Sequence, residues 1–135
     1  GSSPMPVFVL LAGVLGLMAV AFGAFSEHAI RPNVDAEYFR YLMTAVRYNQ
    51  VHAVALLALG LGLAAPLASR TAGWLRIAAW LMFVGTVLFS VSIYVAVMLD
   101  VMAITYITPV GGTLLMLAWA TLIWTGWRAR GEAPG

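Results

Sequence analysis

The 135-residue sequence contains no cysteine and few charged residues. Without cysteine the chain forms no disulfide, and it has no thiolate to act as a nucleophile or to bind zinc or an iron–sulfur cluster. Charged residues make up 9% of the sequence, against roughly 25% in ordinary soluble domains, and hydrophobic residues make up 63%. With a mean hydropathy of +0.96, this composition excludes an ordinary water-soluble domain.

The positive charge comes from seven arginines, with no lysine, against five acidic residues. This excess is too small and too scattered for a nucleic acid-binding surface, which needs a broad basic face. Arginines beside apolar segments are typical of proteins anchored at a membrane interface. We therefore expect membrane lipids as partners and no nucleic acid.

Four apolar segments are each long enough to cross a hydrocarbon core of about 30 Å as a helix. We predict membrane spans at about residues 7–27, 48–68, 74–99 and 101–127. Backbone polar groups must be satisfied internally in lipid, and these segments lack the alternating polarity of barrel strands. The sequence predicts an all-α fold: an integral membrane four-helix bundle in one domain, residues 5–130.

The two ends of the chain are set apart from this domain. Residues 1–4 begin with Gly1-Ser2-Ser3, which resembles a vector-derived remnant, so we expect the native start near Met5. The first apolar run has no basic n-region and is longer than a signal-peptide core, so we interpret it as a retained helix. Residues 131–135 are expected to form a tail.

A short amphipathic segment is expected between helices 1 and 2. Apolar and aromatic residues recur there at helical spacing, at Tyr38, Tyr41, Leu42, Ala45 and Tyr48. The pattern predicts a helix that lies at the interface and runs into the second span. A single bent or continuous helix is equally compatible with it.

Arginine positions predict the orientation in a cell membrane, which would be the inner membrane in a bacterium. One face of the predicted bundle carries Arg70, Arg76, Arg128 and Arg130, and the other carries Arg31 and Arg40, with Arg47 inside or beside the second span. Because cytoplasmic loops carry the excess of arginine, we predict that both termini are cytoplasmic.

Polar residues in apolar spans are costly, which makes them candidates for function. The predicted topology brings several of them to one outer face. The primary candidates for ligand binding are His28, Arg47, Tyr48, His52, Tyr94 and Thr108, and the secondary candidates are Glu27, Ser90, Asp100, Gly111 and Gly112. No catalytic triad, phosphate loop or carboxylate pair is recognisable, so we expect no catalytic residues and no enzyme activity.

Three functions fit these residues, and the sequence does not identify a cofactor. The first is a non-catalytic accessory, assembly or scaffold subunit, since Ala12/Gly16 and Ala19/Gly23 favour close helix packing with other membrane proteins or in a homo-oligomer. The second is a binder of a lipid headgroup or small molecule in an outer-face pocket, with Arg47 meeting an anion. The third is a haem or metal site using His28 and His52.

Four segments of the chain resemble the signatures of a known family. They read GAFSEHAI (23–30), TAVRYNQVHAVALL (44–57), LFSVSIY (88–94) and ITPVGG (107–112). One falls in each predicted helix, and together they are similar to the small membrane-protein family called domain of unknown function 423. The resemblance implies a helical membrane fold and assigns no activity.

The resemblance also identifies matching positions. The family motifs match at Gly23, Ala24, Phe25, His28, Tyr48, His52, Phe89, Ser90, Ser92, Tyr94, Thr108, Pro109, Gly111 and Gly112. The chain departs at Ser26 and Glu27, at Asn49 and Gln50, and at Val91, where the family has glycine. Glu27 places an acid beside His28 that the family pattern lacks.

Overall fold

A computed structural model of the protein describes residues 3–132. Its α-helices are α1 (Met5–Phe25), α2 (Ala36–Gly62), α3 (Ser69–Thr86), α4 (Ser92–Leu99) and α5 (Thr108–Ala129). The predicted all-helical class is confirmed. Residues 1 and 2 of the expected remnant and residues 133–135 of the expected tail lie outside the described part.

Short π- and 3-10-helical segments complete the chain between the α-helices. A π-helical segment, Ser26–Ile30, extends α1, and a second, Val87–Val91, joins α3 to α4 without a break. Two 3-10 segments, Arg31–Asn33 and Met102–Tyr106, precede α2 and α5. The chain therefore forms four continuous rods, of which the third consists of α3, the π-helical segment and α4.

Three of these rods are long and apolar enough to cross a membrane: Met5–Asn33, Ser69–Leu99 and Met102–Ala129. The remaining rod, α2, has 27 residues and is about 40 Å long, so its length also suffices. Its composition does not, because Arg47, Asn49, Gln50 and His52 interrupt the apolar run. Whether α2 also crosses a membrane therefore depends on where its polar groups lie.

The amphipathic segment expected before the second span is part of α2 itself. The Asp35 carboxylate caps this helix by accepting a hydrogen bond from the backbone N–H of Tyr38 at 2.8 Å. From Ala36 the helix runs without interruption to Gly62. The continuous-helix interpretation of the pattern is the one that the structure adopts.

The third and fourth rods overlap the predicted spans 74–99 and 101–127. The third rod begins at Ser69, and the fourth begins at Met102 with a 3-10 segment that leads into α5 at Thr108. Asp100 ends α4 in the left-handed conformation, with φ 56°. Pro109 then lies in the first turn of α5, where its missing N–H costs little. Hydrophobicity alone does not mark these positions.

Two antiparallel pairs of rods form the core. α1 packs along α2, α5 packs along α3, and α2 packs against the third rod more sparingly. One apolar cluster centres on Phe8, Leu15, Leu56 and Met82, and a second centres on Leu42, Val46, Ile93 and Tyr94. No extensive packing joins α2 to α5, so a groove separates these two helices.

The α3–α5 pair depends on a close backbone approach at Gly111. A Cβ atom at this position would meet the backbone nitrogen of Phe89 and would lie 2.7 Å from the carbonyl oxygen of Gly85. Gly85 faces Leu115 across the same contact, with 2.9 Å between its own Cβ position and that side chain. Gly111, a secondary site candidate, therefore brings the two helices together.

We expect Gly111→Ala to lower the free energy of unfolding by about 2–3 kcal/mol or more, because the backbone atoms in contact cannot move aside as a side chain can. Gly126→Ala is the matched control, since nothing lies within 4 Å of its Cβ position. Its higher helix propensity should leave stability unchanged or raise it by up to about 1 kcal/mol. Thermal unfolding in detergent measures both variants, and a Gly111→Ala protein as stable as the original would contradict this packing.

Candidate functional site

α2 turns part of its polar surface toward the third rod, where Ala45, Asn49, Ser90 and Tyr94 form a polar layer. The fully buried Asn49 donates a hydrogen bond from Nδ2 to the Tyr94 hydroxyl at 2.9 Å. The Ser90 hydroxyl, also buried, donates to the backbone carbonyl of Ala45 at 2.7 Å. The Tyr94 ring stacks on Phe22, with 4.1 Å between ring centroids. The predicted site residues Ser90 and Tyr94 thus connect helices and face no open pocket.

Some buried oxygen atoms in the helices form no hydrogen bond. In the described chain, the buried oxygens Ser26 Oγ, Asn49 Oδ1 and Thr86 Oγ1 have no hydrogen-bond partner. Ser26 and Ser90 both lie in π-helical segments, which interrupt the regular ladder of a helix and often accompany function. Two of the buried hydroxyl groups therefore lie where the helices are least regular.

His52 is buried and connects α2 to α5. The indole N–H of Trp119 donates to His52 Nε2 at 2.9 Å, and His52 Nδ1 lies 2.7 Å from the backbone carbonyl oxygen of Tyr48. Because an indole nitrogen only donates, Nε2 must carry a lone pair and Nδ1 must carry the hydrogen. An imidazolium has no acceptor, so this pair of contacts requires neutral His52.

A cavity of about 600 Å³ lies between α2 and α5, and we call it the inner groove. Its lining includes Arg47, Tyr48, His52, Phe89, Gly112 and Trp119. The Arg47 side chain is exposed, and the ion pair that the described residues form joins Arg31 to Glu27 at 3.0 Å instead. The inner groove is therefore mainly apolar, and the Arg47 cation at its edge has no acidic partner among the described residues.

A second cavity, of about 440 Å³, adjoins the inner groove, and we call it the outer cavity. Phe89 and Pro109 line both spaces. The Phe89 ring stacks on Tyr48, which lines the inner groove, at 4.5 Å between centroids. The outer cavity is also lined by Tyr41, Ile93, Met102, Thr105 and Thr108, so it holds one of the predicted site residues that the inner groove lacks.

The structure does not bring His28 and His52 together. α1 and α2 are antiparallel, with the Cβ position of Gly16 at 4.0 Å from Ala53, and His28 lies 12 residues beyond Gly16, or about 18 Å along the helix. His28 is exposed in the first π-helical segment. Among residues 3–132, no group of three or more histidine and acidic side chains is placed to hold a metal. This placement gives the expected haem or metal site no pair of ligands.

Glu27 and Asp100, two of the secondary candidates, also lie apart from the inner groove. Glu27 pairs with Arg31 and not with His28 or Arg47. Asp100 lines a separate surface cavity with Asp35. Of the predicted residues, Arg47, Tyr48, His52 and Gly112 come together in the inner groove, and Thr108 lies in the outer cavity next to it.

Sequence reasoning missed Asn49 and Trp119. Asn49 is a polar residue in an apolar run, which is itself a signal, but the motif comparison recorded it only as a departure from the family pattern. Trp119 lies amid apolar residues of α5 and looks like a lipid-facing aromatic residue until the hydrogen bond to His52 is seen. Only the packing of α2 opposite α5 reveals its role.

The fold and composition define a small helical membrane protein. A family model described as "Protein of unknown function (DUF423)" matches residues 22–112, and this chain belongs to that family of uncharacterised UPF0382 membrane proteins. The family resemblance of the four sequence segments is thereby confirmed.

Individual relatives match over most of their length. The UPF0382 membrane protein YwdK of Bacillus subtilis strain 168 is 35% identical over 121 residues, which cover 88% of this chain and 94% of YwdK. The UPF0382 inner membrane protein YgdD of Escherichia coli K12 is 30% identical over 115 residues, 85% of each chain. No solved structure matches the chain.

We expect nitrogen NMR of histidine-labelled protein to show His52 as the neutral tautomer with hydrogen on Nδ1. The geometry requires it, because Nε2 accepts from Trp119. In Trp119→Phe the Nε2 resonance should shift, since that nitrogen loses its hydrogen-bond donor, while the exposed His28 serves as an internal control. Hydrogen on Nε2 of His52 in the unaltered protein would contradict the assignment.

Proposed function

We propose that this chain is a four-helix membrane bundle that binds an anionic phospholipid in the inner groove. α2 crosses the membrane together with the three more apolar rods, and Asn49 and His52 support this by forming hydrogen bonds to neighbouring helices. The observation that carries the proposal is the apolar groove between α2 and α5 with the uncompensated Arg47 at its edge. A phosphate at Arg47 and an acyl chain in the groove match this pattern.

The depth of each residue along α2 supports this arrangement. His52 lies 10 residues from Gly62, or about 15 Å, which is near the middle of a core of about 30 Å. Arg47 lies 15 residues from Gly62, or about 22 Å, from where its side chain reaches the headgroup region. In this arrangement His52 lies near the middle of the core, whereas the sequence analysis predicted it at the outer face, and Arg47 is the residue at headgroup reach.

The opposite end of the bundle supports cytoplasmic termini. Arg70, Arg76, Arg128 and Arg130 gather there, as positively charged residues do on the cytoplasmic side. Trp74 and Trp124 meet edge to face at 6.2 Å between centroids, and Arg128 lies over Trp124. In this orientation Arg47 faces the outer leaflet, in the cell membrane of a bacterium.

The proposed role is binding, without catalysis. Ser90 is fully buried and donates its hydroxyl to the Ala45 carbonyl, so it has neither access to a substrate nor a base to activate it. His52 has both ring nitrogens engaged. These contacts account for the polar residues as helix connections and leave Arg47 available to a ligand.

A second candidate function is the accessory or assembly role, in which the α1–α2 face docks on another membrane protein or a second copy. A shallow groove of about 270 Å³ runs between α1 and α2, lined by Val9, Ala12, Gly13, Gly16, Ala53, Val54 and Leu57. Nothing lies within 4 Å of the Cβ position of Gly13. Small residues on such a face let a partner helix approach closely.

Native mass spectrometry of protein extracted gently from its own membranes tests the lipid proposal. We expect a phospholipid mass on the unaltered protein that falls about tenfold or more in Arg47→Gln, because a lost charge-assisted hydrogen bond is worth about 1.5–3 kcal/mol. Gly112→Leu should have the same effect, since its side chain would enter the groove beside the Phe89 ring. Arg40→Gln, which changes the same charge on the same helix outside the groove, is the matched control.

The outcomes separate the two candidate functions. A bare chain, or a lipid retained equally by Arg47→Gln and Arg40→Gln, would contradict lipid binding in the inner groove. An attached protein that disappears in Gly13→Leu, with no groove-dependent lipid, would support the docking role instead.

A further inference from the structure

We infer that the outer cavity binds a hydroxyl-bearing lipid headgroup, of the glycerol or sugar class, as the continuation of a phospholipid held at Arg47. The inference rests on the proposed function, because the inner groove must hold the chain and Arg47 the phosphate. It adds the chemical identity of the headgroup.

The position of the outer cavity suits a headgroup. It shares Phe89 and Pro109 with the inner groove. Tyr41, on its wall, lies six residues before Arg47 on α2, about 9 Å farther toward the outer end of the helix. A group linked to a phosphate at Arg47 therefore has the outer cavity beside it, on the side away from the acyl chain.

The hydroxyl groups that line the outer cavity, those of Tyr41, Thr105 and Thr108, already donate their hydrogens within the protein. Tyr41 donates to the Glu37 carboxylate at 3.1 Å, and Thr105 donates to the Met102 carbonyl at 2.6 Å. Ser92 donates to the Phe89 carbonyl at 2.9 Å. Since that uses the one hydrogen of Ser92, the 2.6 Å contact between Ser92 and Thr108 has Thr108 as its donor.

The oxygens of these hydroxyl groups keep their lone pairs as acceptors. A hydroxyl oxygen whose hydrogen is engaged still accepts hydrogen bonds, and Pro109 contributes no N–H. The cavity thus suits a ligand that donates, and the described side chains that line it offer no free donor to a carboxylate or a second phosphate. No charged side chain lines it among the described residues, and a desolvated ammonium needs such a partner. Neutral hydroxyl groups donate hydrogen bonds and need no charged partner, so they suit this cavity.

Two synthetic lipids of equal charge test the headgroup directly. Phosphatidylglycerol and phosphatidylethanol with identical acyl chains are both anionic phosphodiesters, and only the first carries headgroup hydroxyls. Delipidated full-length protein is titrated with each in neutral detergent and followed by native mass spectrometry. We expect phosphatidylglycerol to bind about tenfold more tightly, which corresponds to about one well-made hydrogen bond.

Thr105→Val should reduce phosphatidylglycerol binding to the level of phosphatidylethanol. Thr121→Val is its matched control, because Thr121 also donates its hydroxyl to a backbone carbonyl, that of Leu117, but lies outside both cavities. Phosphatidylethanolamine serves as the ammonium-bearing probe.

The relative binding of these lipids distinguishes failure of the headgroup inference from failure of the proposed function. Equal binding of phosphatidylglycerol and phosphatidylethanol by the unaltered protein would overturn the headgroup inference and leave lipid binding at Arg47 intact. Binding of neither lipid would overturn the proposed function as well. Preference for phosphatidylethanolamine would replace hydroxyl recognition by ammonium recognition and so overturn the inference.

Discussion

A polar group inside a bilayer must find its hydrogen-bond partner within the protein, and in the proposed four-helix membrane bundle that requirement falls mainly on α2. Asn49 Nδ2 donates to the Tyr94 hydroxyl, Ser90 donates to the Ala45 carbonyl and Trp119 donates to His52, while Asn49 Oδ1 has no partner among the described residues. Each such interhelical bond contributes only about 1 kcal/mol, whereas an unsatisfied group in hydrocarbon costs several. The contacts therefore fix which face of α2 turns inward more than they add to overall stability.

The inner groove follows from how the rods are spaced. Gly111 and Gly85 let α5 lie close against α3, whereas Tyr48, His52 and Trp119 occupy the space between α2 and α5. Glycines let α3 and α5 pack closely, whereas large aromatic side chains keep α2 and α5 apart. A single hydrogen bond from Trp119 crosses the open side, which leaves room along it for an apolar chain.

Some of this organisation could be predicted from the sequence and some could not. Apolar run lengths predict the three most apolar rods, and Asp35 could have been recognised as the N-cap where α2 begins. The separation of His28 from His52 depends on how α1 is aligned with α2, and the role of Trp119 depends on which helix α5 faces. Both are properties of packing between helices, which hydrophobic periodicity does not encode.

The central claim is that α2 crosses the membrane despite its polar residues, and cysteine accessibility tests it most directly because the chain has no cysteine of its own. Glu37→Cys and Ala65→Cys place exposed thiols just inside the start of α2 and just after its end, and Val54→Cys places one on its apolar surface. We expect a membrane-impermeant maleimide to label positions 37 and 65 from opposite sides of the membrane and to leave position 54 unlabelled. Labelling of 37 and 65 from the same side, or ready labelling of 54, would contradict it.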